Sequence, residues 1–506
     1  MAVWQLLLVA VCCLNSATSA RAQSSSTPVG VTLPPPHDAV TGAAVGSTAT
    51  LWVSSTSGVD SPTCGSTQIR ACATVQAAFQ QCGFNQHCEL TLQPGSYTGE
   101  GNLGLSMQRG GSSTTSVYSL AITSWPCALN SSDHTTRTDR VEHESLDSPC
   151  GTAAPADIVC GASDRGWLLS GYNVTLRGLR FEGCQNYWTS LFLITSYQHP
   201  IAMTAGAAII VVDTTWVQLL DVTVRECTNG SAVAIVAGRL SSGEGPLQNV
   251  SADFHVTIAR CNFSDNTMTA VLVSACSIAK LDRAGQASTS CACNASVTVS
   301  DSRFSGNVRV LAASTAKRTA GGLGLLQVPV VQLSNLVFNV SAPNSVAEDL
   351  WPDVDFGQVI TIVDQTSTEL CPYSTVTPLA PSSSVQVQTV SFDCSDDRLC
   401  APSITDLRSD IVCTIIHDTD WPPTHSLASM QGVSFNGFFN SMSVLQVQSS
   451  SAVDISALRM VDSLLCSVLG WSVSLSHLDF QHVLMPPQDT FATSFFFGTL
   501  NTAGEF

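Results

Sequence analysis

An eight-position pattern that starts at Val174 and recurs nine times limits the possible folds more than any other feature of the chain. The copies read VTLRGLRF from Val174, VQLLDVTV from Val217, VTIARCNF from Val256, VTVSDSRF from Val297 and VQLSNLVF from Val331. They continue as VQVQTVSF from Val385, ASMQGVSF from Ala428, VDISALRM from Val453 and VSLSHLDF from Val473. Position one is Val in eight copies and position eight is Phe in seven, and apolar residues dominate positions three and six. Side chains alternate across an extended strand with a period of two, so positions one and three share a face, as do six and eight. The step from three to six is odd, which forces a bend at positions four and five. Each copy is therefore two short strands meeting at a corner, both with their apolar face inward. Position two is polar from Thr175 to Ser474, as an outward row requires.

Three residues after position eight, most copies carry a small polar residue or Cys: Cys184, Cys227, Asn266, Asn307, Ser341, Ser395 and Ser463. Such a residue either bonds the backbone of the neighbouring coil or serves as an ordinary turn residue. A third alternating stretch often follows, as in AVAIVAG from Ala232, AVLVSAC from Ala270 and SVLQVQ from Ser443. Three strands and three corners make one coil of a triangular solenoid, whose stacked coils share a continuous apolar interior. Copies are spaced by 20 to 54 residues, too irregular for leucine-rich repeats despite the local LxxLxFxxC match at Leu176–Cys184. The 20-residue step from Val453 to Val473 is too short for a four-stranded propeller blade. A parallel β-helix accommodates the longer coils as loop insertions, which cost little entropy.

The N-terminus carries the marks of export. An apolar run from Leu6 to Leu14 is followed by small residues, with cleavage expected after Ala20 or Ala22, so residues 1–22 read as a signal peptide. Removing Cys12 and Cys13 from the 20 cysteines leaves 18, an even number suited to disulfides in an oxidising compartment. Seven N-x-Ser/Thr sequons, at Asn130, Asn173, Asn229, Asn249, Asn262, Asn294 and Asn339, are candidate glycosylation sites. No segment reaches a membrane-spanning length, and Ile201 to Val212 reads as a buried strand. The product is expected to be extracellular, secreted or held at the cell surface. A net charge of −18 with only two lysines, Lys280 and Lys317, argues against nucleic acid as a partner.

Residues 23–50, rich in Ser, Pro, Gly and Thr, read as a flexible linker. From Leu51 the sequence LWVSSTSGVDSPTCGS, then CATVQAAFQQC, then ELTLQPGSYTG resembles the opening strand, helix and first coil of pectin-lyase-like β-helix proteins. With the repeat, the likeness spans most of the chain and is similar to polymorphic outer-membrane-type repeats. It implies an all-β, right-handed parallel β-helix whose short N-terminal helix, with Val75, Ala78, Phe79 and Cys82 on one face, caps the open end. Residues 51–128 form the cap and first coils, 129–157 a polar insertion, 158–500 the coils and 501–506 a tail. Cys64, Cys72, Cys82 and Cys88 are expected to staple the cap in one of three pairings. Cys184 and Cys227 occupy equivalent positions in adjacent copies, within disulfide reach of each other. Cys276 with Cys291 or Cys293 closes a surface loop, a disulfide reading preferred over metal for that CxC.

The fold raises the question of polysaccharide cleavage. Hydrolases need paired carboxylates at a set separation, and lyases need a basic residue and a group that neutralises a uronate. Neither Gly-His-Gly nor Arg-x-Lys occurs. Asp396-Asp397 reads as a solvated loop pair; Lys280 and Arg283 are the lyase candidates, with Arg177, Arg180 and Arg303 on outward faces. Glu348, Asp349, Asp353 and Asp355 offer oxygens for calcium but match no defined loop, and no other cofactor is expected. His134, Glu142, His143 and Glu144 read as exposed loop residues rather than a metal site. The expected function is recognition, adhesion or structure, with a polysaccharide or glycoprotein as partner. Polysaccharide lyase or glycoside hydrolase activity is the alternative.

Overall fold

The computed structural model describes residues 48–82, 87–108, 119–125, 155–161, 165–185, 191–195, 200–204, 207–228, 230–238, 253–267, 269–276, 291–292, 294–310, 320–341, 354–355, 358–364, 384–396, 400, 408–417, 427–438, 441–449, 452–463, 466–470, 472–482 and 496–499. They form a parallel β-helix of three sheets. Equivalent positions lie in register from coil to coil: Val174 pairs with Val217, Val217 with Val256, Val256 with Val297, and Val297 with Val331. The first sheet carries positions one to four, in strands such as Asn173–Arg177, Trp216–Leu220, Asp253–Ala259 and Asn294–Ser300. The second carries positions six to nine, in strands such as Leu179–Glu182, Thr223–Arg225, Asn262–Ser264 and Arg303–Ser305. In three later coils one strand runs through both: Val330–Val340, Ser384–Cys394 and Leu427–Asn436. The third sheet has eleven strands and includes Val233–Val236, Val271–Ser274 and Ser441–Ser449, the three alternating stretches after the repeat.

The corner between the first two sheets has one cause in all nine copies. Gly178, Asp221, Arg260, Asp301, Asn335, Thr389, Gly432, Ala457 and His477, each at position five, adopt left-handed backbone with φ between 50 and 65°. That conformation reverses the facing of side chains between the two half-strands, as the odd step in the pattern demands. It costs a non-glycine L-residue roughly 1–2 kcal/mol, which the core packing on either side outweighs.

The interior rows are ladders of like residues. Phe263, Phe304, Phe338, Phe392 and Phe435, all at position eight, stack in sequence with centroids 5.0, 4.6, 5.1 and 4.6 Å apart. Next to them runs a polar row at the corner after position eight. Asn266 Oδ1 accepts from the Cys227 amide at 3.0 Å, and Asn266 Nδ2 donates to Asn307 Oδ1 at 2.8 Å. Asn307 Nδ2 in turn donates to the Phe263 carbonyl at 2.8 Å. These asparagines are buried ties between coils rather than ordinary turn residues. Ser302, a polar residue at position six, is buried for a similar reason: its Oγ accepts from the Cys261 amide at 3.0 Å.

At the N-terminal end the helix Val75–Gln81 buries Val75 and Ala78 and contacts the strands Thr48–Val53 and His87–Leu92. Thr74 caps it by accepting from the Ala77 amide, and Asp60 braces the entry by accepting from the Ala73 and Thr74 amides. Tyr97, from the Pro-Gly-x-Tyr turn, is fully buried and donates its hydroxyl toward the Val53 and Gln93 carbonyls.

Several boundaries and bonds differ from expectation. Ile201–Val212 is not one strand: Pro200–Thr204 pairs antiparallel with Leu191–Thr195 as a side hairpin, and only Ile209–Val212 joins the third sheet. The first strand starts at Thr48, inside the expected linker, and Ala156–Val159, at the end of the expected insertion, is already a second-sheet strand. Disulfides join Cys64 to Cys72, Cys82 to Cys88, Cys276 to Cys291 and Cys394 to Cys400. Cys184, however, is bonded to Cys160 and not to Cys227, which is a buried free thiol. Cys160 carries no offset signal in the sequence, because its half-coil, ADIVC, is separated from its first half, SLAITS, by residues 125–155.

Candidate functional site

The three faces of the solenoid differ in what they offer a partner. The third sheet is buried on both sides through its middle coils: the outward Ile210, Ala234 and Leu272 are as covered as the inward Val211, Val233 and Val273. This leaves the outer faces of the first and second sheets.

Among the described residues, the second sheet and its corners carry a series of ion pairs that run between coils. Arg180 pairs with Asp157, and Arg225 pairs with Glu182 at 2.7 Å. Arg260 forms a two-pronged pair with Asp221, at 2.8 and 3.0 Å, and Arg177 approaches the same carboxylate at 3.8 Å. Asp301 accepts from Asn335 Nδ2 at 3.0 Å. The position-five row therefore alternates in sign from Asp221 through Arg260 to Asp301. The hydrogen bond it donates to Glu182 holds the Arg225 guanidinium further above its ordinary pKa, and Asp221 does the same to Arg260. A lyase base must release a proton, so these pairs work against that role. Arg177 and Arg180 are likewise held by carboxylates, and Arg303 lies exposed between Asn262 and Val337.

One carboxylate pair among the described residues falls outside the repeat's apolar positions. Glu226 and Asp265 stand on adjacent coils at the corner after the second sheet, both in left-handed backbone. Burial pushes the Asp265 carboxyl above its ordinary range, and the Glu226 charge adds to the effect. The corner falls two residues past the last apolar position of each copy, where the repeat carries no signal. A solvent-open recess of about 260 Å³ lies elsewhere, lined by Ser106, Arg165, Trp167 and Ile210 among others.

The outer face of the first sheet is different in kind. Position two runs Thr175, Gln218, Thr257, Thr298, Gln332, Gln386, Ser429, Asp454 and Ser474; position four adds Ser300, Ser334, Gln388, Gln431, Ser456 and Ser476. From Gln218 to Ser429 these two rows hold no ionisable side chain. Beside them His255 Nδ1 meets Ser296 Oγ at 2.8 Å, and His87 Nδ1 meets Ser119 Oγ at 2.7 Å. At the N-terminal end of this face Trp52 and Trp125, both half-buried, stand with ring centroids 4.5 Å apart and planes tilted by 59°. Neither tryptophan belongs to a recurring position, so the pattern carried no signal for the pair.

The remaining candidates fall as follows. Asn262 and Asn294 are exposed; Asn294 Nδ2 donates to Asp253 at 2.7 Å. Asn173 accepts from Thr215 Oγ1 at 2.7 Å, and Asn339 from Ser395 Oγ at 3.3 Å. Asn130, Asn229, Asn249, Cys293, Lys280, Arg283, Asp397, His134, Glu142, His143, Glu144, Glu348, Asp349 and Asp353 lie outside the described residues. Asp355 sits in a two-residue strand opposite Arg309. Asp60, Cys64 and Cys72 cluster closely, but both sulfurs are in one disulfide and Asp60 is engaged by backbone amides, so the group does not suit a metal. Among the described residues no helix is long and apolar enough to cross a membrane. No family model and no curated protein matches the chain.

Proposed function

We propose that this chain is a secreted or cell-surface recognition protein of the pectin-lyase-like β-helix kind, which binds carbohydrate across the outer face of its first sheet. The observation that carries this reading is the uncharged hydrogen-bonding surface from Gln218 to Ser429, built on a rigid shaft. Hydroxyl and amide side chains both donate and accept, as the hydroxyls of a neutral glycan require. The Trp52–Trp125 pair supplies aromatic surface at one end of the same face. Export is supported by the N-terminal apolar run, by the disulfides and by the sequons, of which Asn262 and Asn294 are exposed. Against cleavage by the described coil arginines stands the pairing of Arg177, Arg180, Arg225 and Arg260 with carboxylates of adjacent coils.

The test is to present the purified full-length protein to panels of neutral and acidic polysaccharides, with and without calcium, measuring retention and released products together. Retention of neutral glycans without product is expected. Placing two charges on this uncharged face with Gln332→Lys and Gln386→Lys should weaken that retention at least tenfold, with the circular dichroism spectrum unchanged. Release of unsaturated or reducing oligosaccharides would overturn the reading.

A further inference from the structure

Cys160, Cys184 and Cys227 stand on three successive coils at one corner. The register runs from Val159 to Glu182 to Arg225 and, from Glu182 onward, through the same strand pair as Thr223–Arg225. It continues past the strands in the bridge between Gln185 and Thr228. The Cys160 amide donates to the Glu182 carbonyl at 2.9 Å, and the Thr228 amide donates to the Cys184 carbonyl at 2.9 Å. Cys184 is thus the middle of three rungs. It is bonded to Cys160 with the Cα atoms 4.8 Å apart, while Cys227 stands one coil away on its other side, unbonded and buried. Adjacent parallel strands lie about 4.8 Å apart, inside the range a disulfide spans. Cys184 thus has a bonded partner, Cys160, which the register sets against Gly183, and an unbonded neighbour, Cys227, in register with itself on the following coil. The row stops after Cys227, because the next rung is Asn266, whose Oδ1 accepts from the Cys227 amide.

We propose that the disulfide moves along this row, from Cys160–Cys184 to Cys184–Cys227, by thiol–disulfide exchange within one chain. The Cys227 thiol gives up its proton and its sulfur attacks Cys184 Sγ. The Cys184–Cys227 bond forms as the Cys160–Cys184 bond breaks, and Cys160 leaves as a thiolate that takes up a proton. One disulfide and one thiol are present before and after, so no oxidant or reductant is consumed. Exchange requires the attacking, central and leaving sulfurs near one line, and the order Cys227, Cys184, Cys160 over three successive coils is the order such a step needs. The move takes the staple off the strand Ala156–Val159, which follows residues 126–154, and ties the next two coils instead.

Burial sets the rate. The attacking species is the thiolate, and burial pushes the Cys227 thiol up to about 12. At neutral pH little thiolate exists and the Cys160–Cys184 bond persists. Each unit of added pH below that value raises the thiolate, and with it the exchange rate, about tenfold.

The experiment incubates the full-length protein at pH 7 and at pH 9.5, quenches in acid, alkylates under denaturing conditions and maps linked peptides by mass spectrometry. At pH 7 the Cys160–Cys184 pair and alkylated Cys227 are expected. At pH 9.5 the Cys184–Cys227 pair should appear together with alkylated Cys160, at a rate independent of protein concentration. Cys160→Ser should carry a Cys184–Cys227 bond from the outset. The proposal is overturned if Cys160→Ser folds with both remaining thiols free, or if the wild-type protein at pH 9.5 keeps only its original pairing. The wild-type arm decides the matter even where the variant fails to fold.

Discussion

Three thiols make the most measurable residue-scale signature of this fold. Cys227, Cys261 and Cys413 are fully buried and unbonded, and burial pushes each up to about 12. An unfolded thiol titrates near 8.5. Below that pH both states hold the proton, and these groups give stability no pH dependence. Above it the unfolded chain releases protons that the folded chain retains, so stability falls progressively until the pH reaches about 12. The slope is roughly 1 kcal/mol per pH unit for each thiol. Urea midpoints measured from pH 7 to 10 should stay flat to about pH 8 and then decline. The decline should be shallower in Cys413→Ala; an unchanged slope there would rule out this assignment of cause.

At the scale of elements, the coil is held by two rows of different chemistry that run beside each other. The phenylalanine row supplies dispersion and apolar burial, and the asparagine row supplies register. Replacing Asn266 with Ala leaves the Cys227 amide without its acceptor and removes the side-chain bond to Asn307 Oδ1, which keeps only the Asn266 amide at 3.3 Å. A buried unsatisfied group costs about 1–3 kcal/mol, so Asn266→Ala is expected to lose about 3 kcal/mol in chemical denaturation. A loss below about 1 kcal/mol would mean that water replaces the side chain. The interior rows were legible from sequence because apolar and small polar residues recur at fixed offsets within each copy. Cys160 was not, since residues 125–155 divide its coil and hide the offset. The Trp52–Trp125 pair and the Glu226–Asp265 corner were not legible either. Each arises from coils stacked in space, and proximity between coils has no fixed distance along a chain whose coil lengths vary.

For the molecule as a whole, stability in a solenoid is nearly a sum over neighbouring coils, so removing one coil in register should leave a folded protein. Deleting residues 253–293 joins the chain at Asn294, the residue that pairs with Asp253, and brings Asn307 under Cys227 in place of Asn266. The same deletion removes Arg260 and sets Asp221 against Asp301. Opposed like charges on adjacent strands are destabilising. The deletion with Asp301→Arg is therefore expected to be more stable than the deletion alone by about 1 kcal/mol, read from thermal melts that retain the β-sheet spectrum. Equal stability would show that the corner charges are fully screened. The sign alternation from Asp221 to Asp301 acts in this way as a parity check on length. Along that stretch, inserting two coils of alternating sign preserves the match of opposite charges, whereas duplicating a single coil sets like charges side by side. A lineage of such solenoids that grows by duplication would accordingly lengthen in steps of two there, or record each odd step as a charge substitution beside the join.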